Sequence, residues 1–260
     1  MSFYAEATGA AATSLGLGML SSLDLGREFR RAFAAVRASS DVLRRKAFAI
    51  RHAVYCDELR YEPPRADGLE HDEFDPRAEH LLLNSVEQRR PIACARLIRA
   101  SSLAGREPLP LELLCGATLG ARWSNLSQSR RVAELSHLAV VREFRRRSGE
   151  DARDVSIGDA DFGTASRPRF PYIPVGLCLA AVALARRVDV DALAVLAEPQ
   201  LATHLARLGI ALQQIGGPVQ HHGTRVPYLM DVDVVAAGLR AYMRPLYEVI
   251  EQDLDAPAEC

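Results

Sequence analysis

Arg130-Arg131-Val132-Ala133-Glu134-Leu135-Ser136-His137-Leu138-Ala139-Val140-Val141-Arg142-Glu143-Phe144-Arg145-Arg146-Arg147 is the stretch on which the fold turns. From Val132 to Val141 the run is largely apolar or small, with β-branched residues at both ends, and it reads as a buried central strand. Glu134 and His137 interrupt it. A carboxylate inside a buried sheet is costly unless it is paired or performs chemistry. Two readings of Glu134 stand side by side. It is a general base whose pKa burial raises, or it is the acid of a structural ion pair with Arg96 on a neighbouring strand. Glu134 and His137 are three positions apart, so a regular strand sends them to opposite faces. A β-bulge between them would bring both to one side; otherwise His137 is a satisfied core histidine. The strand runs into Arg142, Arg145, Arg146 and Arg147, a concentrated positive patch. An acid beside a cationic loop at a strand end suits acyl transfer to an amine. The acid takes the amine's proton, and the cations hold an anionic carrier.

Upstream, residues 91–99 read as a strand that puts Ile92, Cys94, Arg96 and Ile98 on one face. Its hairpin partner is 79–87, across a Gln88-Arg89-Arg90 turn. Arg96 in an apolar row needs an acidic partner. Ser40 or Asp41 caps a helix that runs to about Leu59. Leu43, Ala47, Ile50 and Val54 are its core stripe; Arg44, Arg51, Tyr55 and Glu58 lie on a second stripe, beside the buried edge. After Pro63-Pro64 comes an acidic loop with Asp67, Glu70, His71, Asp72, Glu73 and Asp75. It lacks the turn glycine of a calcium loop. Ion pairing of Asp72 and Asp75 with Arg51 and Arg96 is the more economical use of the charges, so no metal is assigned.

The remaining chain is read as follows. Residues 1–22 form an N-terminal arm, 23–38 a helix with a basic solvated face, and 100–129 a loop with one helical turn near Leu111–Cys115. Residues 142–171 are a lid, a binding segment or disorder. Pro174 opens a buried helix to about Val188, whose first N–H groups would point at a carrier phosphate or a thioester oxygen. Ala192–Ala197 is a strand, and a helix from Pro199 stops at Gly209. Strands at 210–215 and 225–232 flank a polar turn with His221-His222, and Val234–Asp253 is one amphipathic helix. This order implies a single α/β (α+β) domain over 23–260, a mixed sheet with helices on both faces.

Bulk properties narrow the function. The 260 residues carry a net charge of −1, which does not suit a polyanion-binding protein. The arginine patch lacks interleaved aromatics, so nucleic acid is not expected. The five cysteines form no close pair and no metal spacing, which suggests a reducing, cytoplasmic setting. No apolar run is long enough to span a membrane, and the first twenty residues have no basic n-region. Gly-x-Ser-x-Gly and Cys–His arrangements are missing, so a covalent acyl-enzyme has no support. A Gly-rich phosphate loop is missing too, which argues against nucleotide binding and against a simple coenzyme A site.

Arg51-x-x-Val54-Tyr55, then Asp72 and Asp75, Ala95-Arg96-Leu97 and Glu134-Leu135-Ser136-His137 resemble the ordered motifs of acyl-homoserine-lactone (autoinducer) synthases. Their relatives, the N-acyl amino acid synthases and the PEP-CTERM/exosortase system-associated acyltransferases, are more similar still. Val140–Arg147, Glu198-Pro199-x-Leu201 through Leu208-Gly209-Ile210, and Gly217-Pro218-Val219-x-His221-His222-Gly223 resemble the exosortase-associated group in particular. The resemblance covers roughly residues 42–232. It implies a fold like that of the GCN5-related N-acyltransferases (GNAT), with a mixed sheet splayed at its centre. It implies a fatty acyl group moving from an acyl-carrier-protein thioester, or acyl-CoA, to the amine of an amino acid or similar small molecule, with no tightly bound cofactor. Glu134, Arg96 and His137 are then the catalytic residues. Arg51, Asp72, Asp75, Tyr55 and Ser136 bind the acceptor, and Arg145, Arg146 and Arg147 dock the acyl carrier protein. One departure is His137, at a position usually occupied by arginine in these relatives. The alternatives are an acyl-homoserine-lactone synthase, an acetyl-CoA-dependent N-acetyltransferase and a non-catalytic acyl- or carrier-binding module.

Overall fold

Asp24 opens the first helix, α1 (Leu25–Ala32): its Oδ1 accepts from the Arg27 N–H at 3.0 Å. The structure, a computed structural model, describes residues 24–100, 107–145, 157, 159–164 and 167–256. The expected arm at 1–22, and Arg146 and Arg147, lie outside the described residues. After α1 the chain becomes extended as β1 (Phe33–Arg37), which corrects the single helix expected over 23–38. Phe33 to Arg37 pair with Ser85 to Leu81, so ladder pairing overrides the local helical periodicity. Ser40 caps α2 (Asp41–Arg51), its Oγ accepting from the Leu43 N–H at 3.3 Å. The helix does not stop at Arg51 but continues as a π-helical run, His52–Glu58.

The hairpin of β2 (Ala78–Ser85) and β3 (Arg90–Arg99) forms as the alternation implies. Two helices occupy the stretch expected to be loop, α3 (Pro110–Cys115) and α4 (Ala121–Ser129). Trp123 of α4 is buried, and its Nε1 donates to Glu112 Oε1 of α3 at 2.8 Å. The central strand is β4 (Val132–Val140). A short pair follows, β5 (Gly163–Thr164) with β6 (Arg167–Pro168). Then come α5 (Tyr172–Arg187), β7 (Ala192–Ala197), α6 (Pro199–Arg207), β8 (Gln213–Gln214), β9 (Val219–Gln220) and β10 (Thr224–Asp231). The tail is not one helix. It is α7 (Val232–Gly238) and α8 (Arg244–Asp255), separated by an extended Leu239 and restarted with Pro245 in the first turn.

The sheet runs β1-β2-β3-β4-β7-β10-β8, with β9 beside β10. Its neighbours are antiparallel except β4 and β7, which are parallel. That central pair holds only from Val132/Ala192 to Leu135/Val195. Beyond it the strands part, so the mixed sheet is splayed at its middle. One face packs on α1, α5 and α8, with α5 apolar almost all round. The other face carries two separate apolar patches. Leu82, Cys94 and Ala139 meet α2 at one end; Ile98, Val132 and Ala194 meet α3 and α4 at the other. No helix among the described residues is long and apolar enough to cross a membrane.

Candidate active site

Between those two patches the same face is polar. On β3, Arg96 lies between Cys94 and Ile98. On β4, Ser136 stands opposite Arg96, and Glu134 opposite Ile98. Period-two alternation puts all three on one side.

Arg51, the last residue of α2, enters this seam from above and is 1% exposed. Both oxygens of Glu70 engage it: Nε meets Oε2, and Nη2 donates to Oε1 at 3.0 Å. Arg51 Nη1 donates to Asp75 Oδ1 at 2.7 Å. Arg96 Nη1 donates to Asp72 Oδ1 at 2.6 Å and to Asp75 Oδ1 at 2.9 Å, and Arg96 Nε reaches Ser136 Oγ at 3.3 Å. Buried charges need such matching. Burial alone would push the Asp75 carboxyl up. The hydrogen bond and charge of Arg51, with Arg96, outweigh it and hold Asp75 at about 2. His80 lies behind, with Nε2 3.6 Å from Asp75 Oδ1, and burial pushes it down to about 4.

Glu134 stands outside this network. Its ladder neighbour Ile98 offers no charge, and Arg96 is committed to Asp72 and Asp75. The structural pair with Arg96 considered from sequence therefore does not form. Instead, Glu134 Oε2 accepts from the Leu111 N–H at 2.7 Å, in the first turn of α3. Burial pushes its carboxyl up to about 7. The Leu111 N–H and the charge of Arg96 oppose the rise; Glu112 and Asp72 add to it.

A β-bulge brings His137 to the same side. Arg96 pairs with Ser136 and Cys94 with Ala139, so His137 and Leu138 together face one β3 residue. His137 takes φ +49°, a left-handed value rare outside glycine. Its Nε2 lies 3.6 Å from Glu70 Oε2, and the Tyr55 ring packs edge-on at 5.4 Å. Tyr55, on the π-helical run, donates its hydroxyl to the Leu138 carbonyl at 3.0 Å. Burial, then the charges of Arg51 and Arg96, hold the His137 imidazole well below its usual pKa.

A cavity of about 530 Å³ opens where β4 and β7 part. Glu134, Ser136, His137, Arg96, Asp72 and Tyr55 all reach its wall. Aliphatic lining comes from Leu135, Val195, Leu201, Leu205, Leu212 and Met230. Arg51 and Asp75 stay behind the wall and hold the residues that form it.

Residues 50–153 match the family model for the acetyltransferase (GNAT) domain. The chain has a GNAT-like fold. Solved structures share this fold at low identity. TofI, in a ternary complex with an inhibitor and MTA, is 17% identical, with a TM-score of 0.56 over 83% of this chain and 96% of that one. FeeM, an N-acyl amino acid synthase from uncultured soil microbes, is 17% identical, with a TM-score of 0.51 over 82% and 97%. BjaI, a CoA-dependent acyl-homoserine lactone synthase solved with SAM and isopentyl-CoA, is 17% identical, with a TM-score of 0.51 over 86% and 90%. No curated protein matches the sequence.

The fold also gathers residues that sequence reasoning did not single out. Glu70 was one acid of a loop; only the fold sets it against Arg51. His221 and His222, read as a polar turn, lie at the cavity wall with Tyr61 and Arg225. Arg145, expected to dock a carrier, is 13% exposed and paired with Glu58 of the π-helical run. The first turn of α5, expected to aim N–H groups at a thioester or phosphate, is not among the lining residues; Cys178, further along, is. Glu70, Asp72 and His137 offer possible metal ligands within 4.8 Å of one another. Arg51 and Arg96 already neutralise both carboxylates, so a dication there would stand against two guanidiniums.

Proposed function

We propose that the protein moves a long-chain fatty acyl group from an acyl-carrier-protein thioester to the amine of an amino acid or similar small molecule, in the manner of an N-acyl amino acid synthase. One observation carries the reading: Glu134 is buried among apolar groups yet lines the cavity at the split of the sheet. A carboxylate with a pKa of about 7 is poised to take a proton from an ammonium near neutral pH. The freed amine nitrogen attacks the thioester carbonyl carbon; a C–N bond forms and the C–S bond breaks. The ammonium gives up two protons in all. One passes through Glu134 to solvent, and the other ends on the released thiol. Backbone N–H groups of β4 beyond Leu135, where pairing to β7 stops, are the proposed donors to the carbonyl oxygen. Arg96 and His137 shape the reacting end; Arg51, Asp72, Asp75, Tyr55 and Ser136 shape the acceptor side. A carrier protein is preferred to free coenzyme A because the sequence after β4 lacks a Gly-rich phosphate loop, and Arg146 and Arg147 are its proposed contacts. The exosortase association and a cytoplasmic setting belong to the same proposal and rest on the motifs and the cysteine pattern.

The test offers the protein long-chain acyl carrier protein, long-chain acyl-CoA and acetyl-CoA with a mixture of amines, and reads products by mass spectrometry. Long-chain N-acyl amines made fastest from the carrier support the reading. Acetylated products alone would return an ordinary acetyltransferase, and no product from any donor would leave a binding module. Glu134→Gln should lower turnover about a hundredfold or more with the fold intact. Turnover like that of the parent would remove Glu134 from the mechanism.

A further inference from the structure

The charges around the cavity bear on the acceptor. Two guanidiniums reach the wall, and both already face acids. Arg96 meets Asp72 at 2.6 Å and Asp75 at 2.9 Å. Arg225 meets Glu198 at 3.4 Å and donates to the carbonyl oxygens of His221 and His222 at 3.4 and 3.3 Å. Both arginines are buried. Glu62 and Glu134 add two further carboxylates to the wall, and among the described residues neither is drawn into an ion pair. His137, also on the wall, is held uncharged at neutral pH by burial and by the guanidiniums of Arg51 and Arg96. With those pairs set aside, the acids left on the wall are Glu62 and the ionised fraction of Glu134.

Aromatic rings line the same cavity. The rings of Tyr61 and His222 stack at 3.7 Å with planes 10° apart. His221 follows His222 at 4.5 Å, and Tyr55 lies 6.4 Å from Tyr61. Tyr61 follows the π-helical run on one half of the sheet, and His222 comes from the β9–β10 turn on the other, so the stack bridges the split. Carboxylates combined with π-faces recognise cations, whereas a carboxylate on the ligand would meet like charge.

We propose that the acceptor is a cationic amine without a carboxylate, an alkylamine or diamine rather than an α-amino acid, bound against the Tyr61–His222 stack and the carboxylate of Glu62. The inference rests on the acyl-transfer reading for its chemistry, but the binding preference can be measured without turnover.

The experiment titrates the full chain by calorimetry with pairs that differ only by a carboxylate: 1,5-diaminopentane against lysine, and 3-methylbutylamine against leucine. The same pairs then serve as acceptors with long-chain acyl carrier protein. Each amine should bind about tenfold or more tightly than its amino acid, the factor that one unpaired carboxylate in an acidic wall readily costs. The same order should hold in kcat/KM. Glu62→Gln, at an exposed position, should weaken diamine binding several-fold. An amino acid that binds as well as its amine, or no binding by either, overturns the inference whether or not product forms. Selective amine binding with no product from any donor supports the inference and removes the acyl-transfer reading instead.

Discussion

At the scale of single residues, Glu134 and Asp75 titrate in opposite senses. Glu134 rises from 4.5 to about 7 on folding, chiefly through burial. The folded state thus holds more protons than the unfolded state between those values, and stability falls as pH rises through that window. Glu134→Gln should flatten this dependence and melt above the parent at pH values beyond about 7, as read by calorimetry across pH. Activity should run the other way and rise with pH through about 7, because only the carboxylate accepts a proton. Asp75 is held at about 2 against an ordinary 3.8, so its contribution is complete above the ordinary value and is lost as pH falls from 3.8 towards about 2. Its partner makes the larger test. Arg51→Ala would leave Glu70 and Asp75 buried without their guanidinium, which should cost about 3–5 kcal/mol in denaturant unfolding. The identity of these residues was legible: Arg51, Arg96, Asp72, Asp75 and Glu134 stand out as charges placed in apolar patterns. The pairing was less so. Glu70 looks like any other acid in its loop, because nothing local says which carboxylate folds back onto Arg51.

Among the elements, the hairpin, the Ser40 cap, β4 and the buried helix α5 follow from patterns a few residues long. β1, α4 and the division of the tail do not. β1 is helical by pattern and extended by pairing with β2. α4 offers only Trp123 and Leu126 as inward apolar anchors, and α3 and β8's neighbour Ile215 give it the surface it packs on. The bulge at His137 was foreseen as the way to bring it beside Glu134, and the register shift between Cys94 and Arg96 is that device. The terminal helices give a test of element packing. A Cβ on Gly26 of α1 would lie 2.5 Å from the carbonyl oxygen of Pro245 in α8. Gly26→Ala should therefore push α1 off α8 and lower stability by about 1–3 kcal/mol, measured by denaturant unfolding.

For the molecule as a whole, the consequence of one short parallel pairing dominates. β4 and β7 share a ladder only to Leu135/Val195, and the space beyond becomes the cavity. Its polar side belongs to β3, β4 and the segments after α2; much of its aliphatic side belongs to β7, α6 and β10. Leu205 of α6 is buried and lines that aliphatic side. Leu205→Trp should fill it, shift products towards shorter acyl chains and abolish the rise in Tm that a non-hydrolysable long-chain acyl-pantetheine gives the parent. That rise follows from binding to the folded state alone, about 2.7 kcal/mol at a hundredfold excess over Kd. Mass spectrometry of products and thermal melting with the analogue read the two effects separately.

The amino-acid sequence by itself determined the mixed α/β class, the central strand, the hairpin beside it and the charged residues that an acyl-transfer site would use. Those features depend on periodicity, caps and turn chemistry acting over a few neighbouring residues. Only the tertiary structure decided between the two acidic partners the sequence offered Arg96, in favour of Asp72 and Asp75, and only it showed that Glu70 clasps Arg51 and that Tyr61 and His222 meet across the divided sheet. Each of these joins segments far apart in the chain, and which partner a buried charge or ring finds is set by how the elements pack.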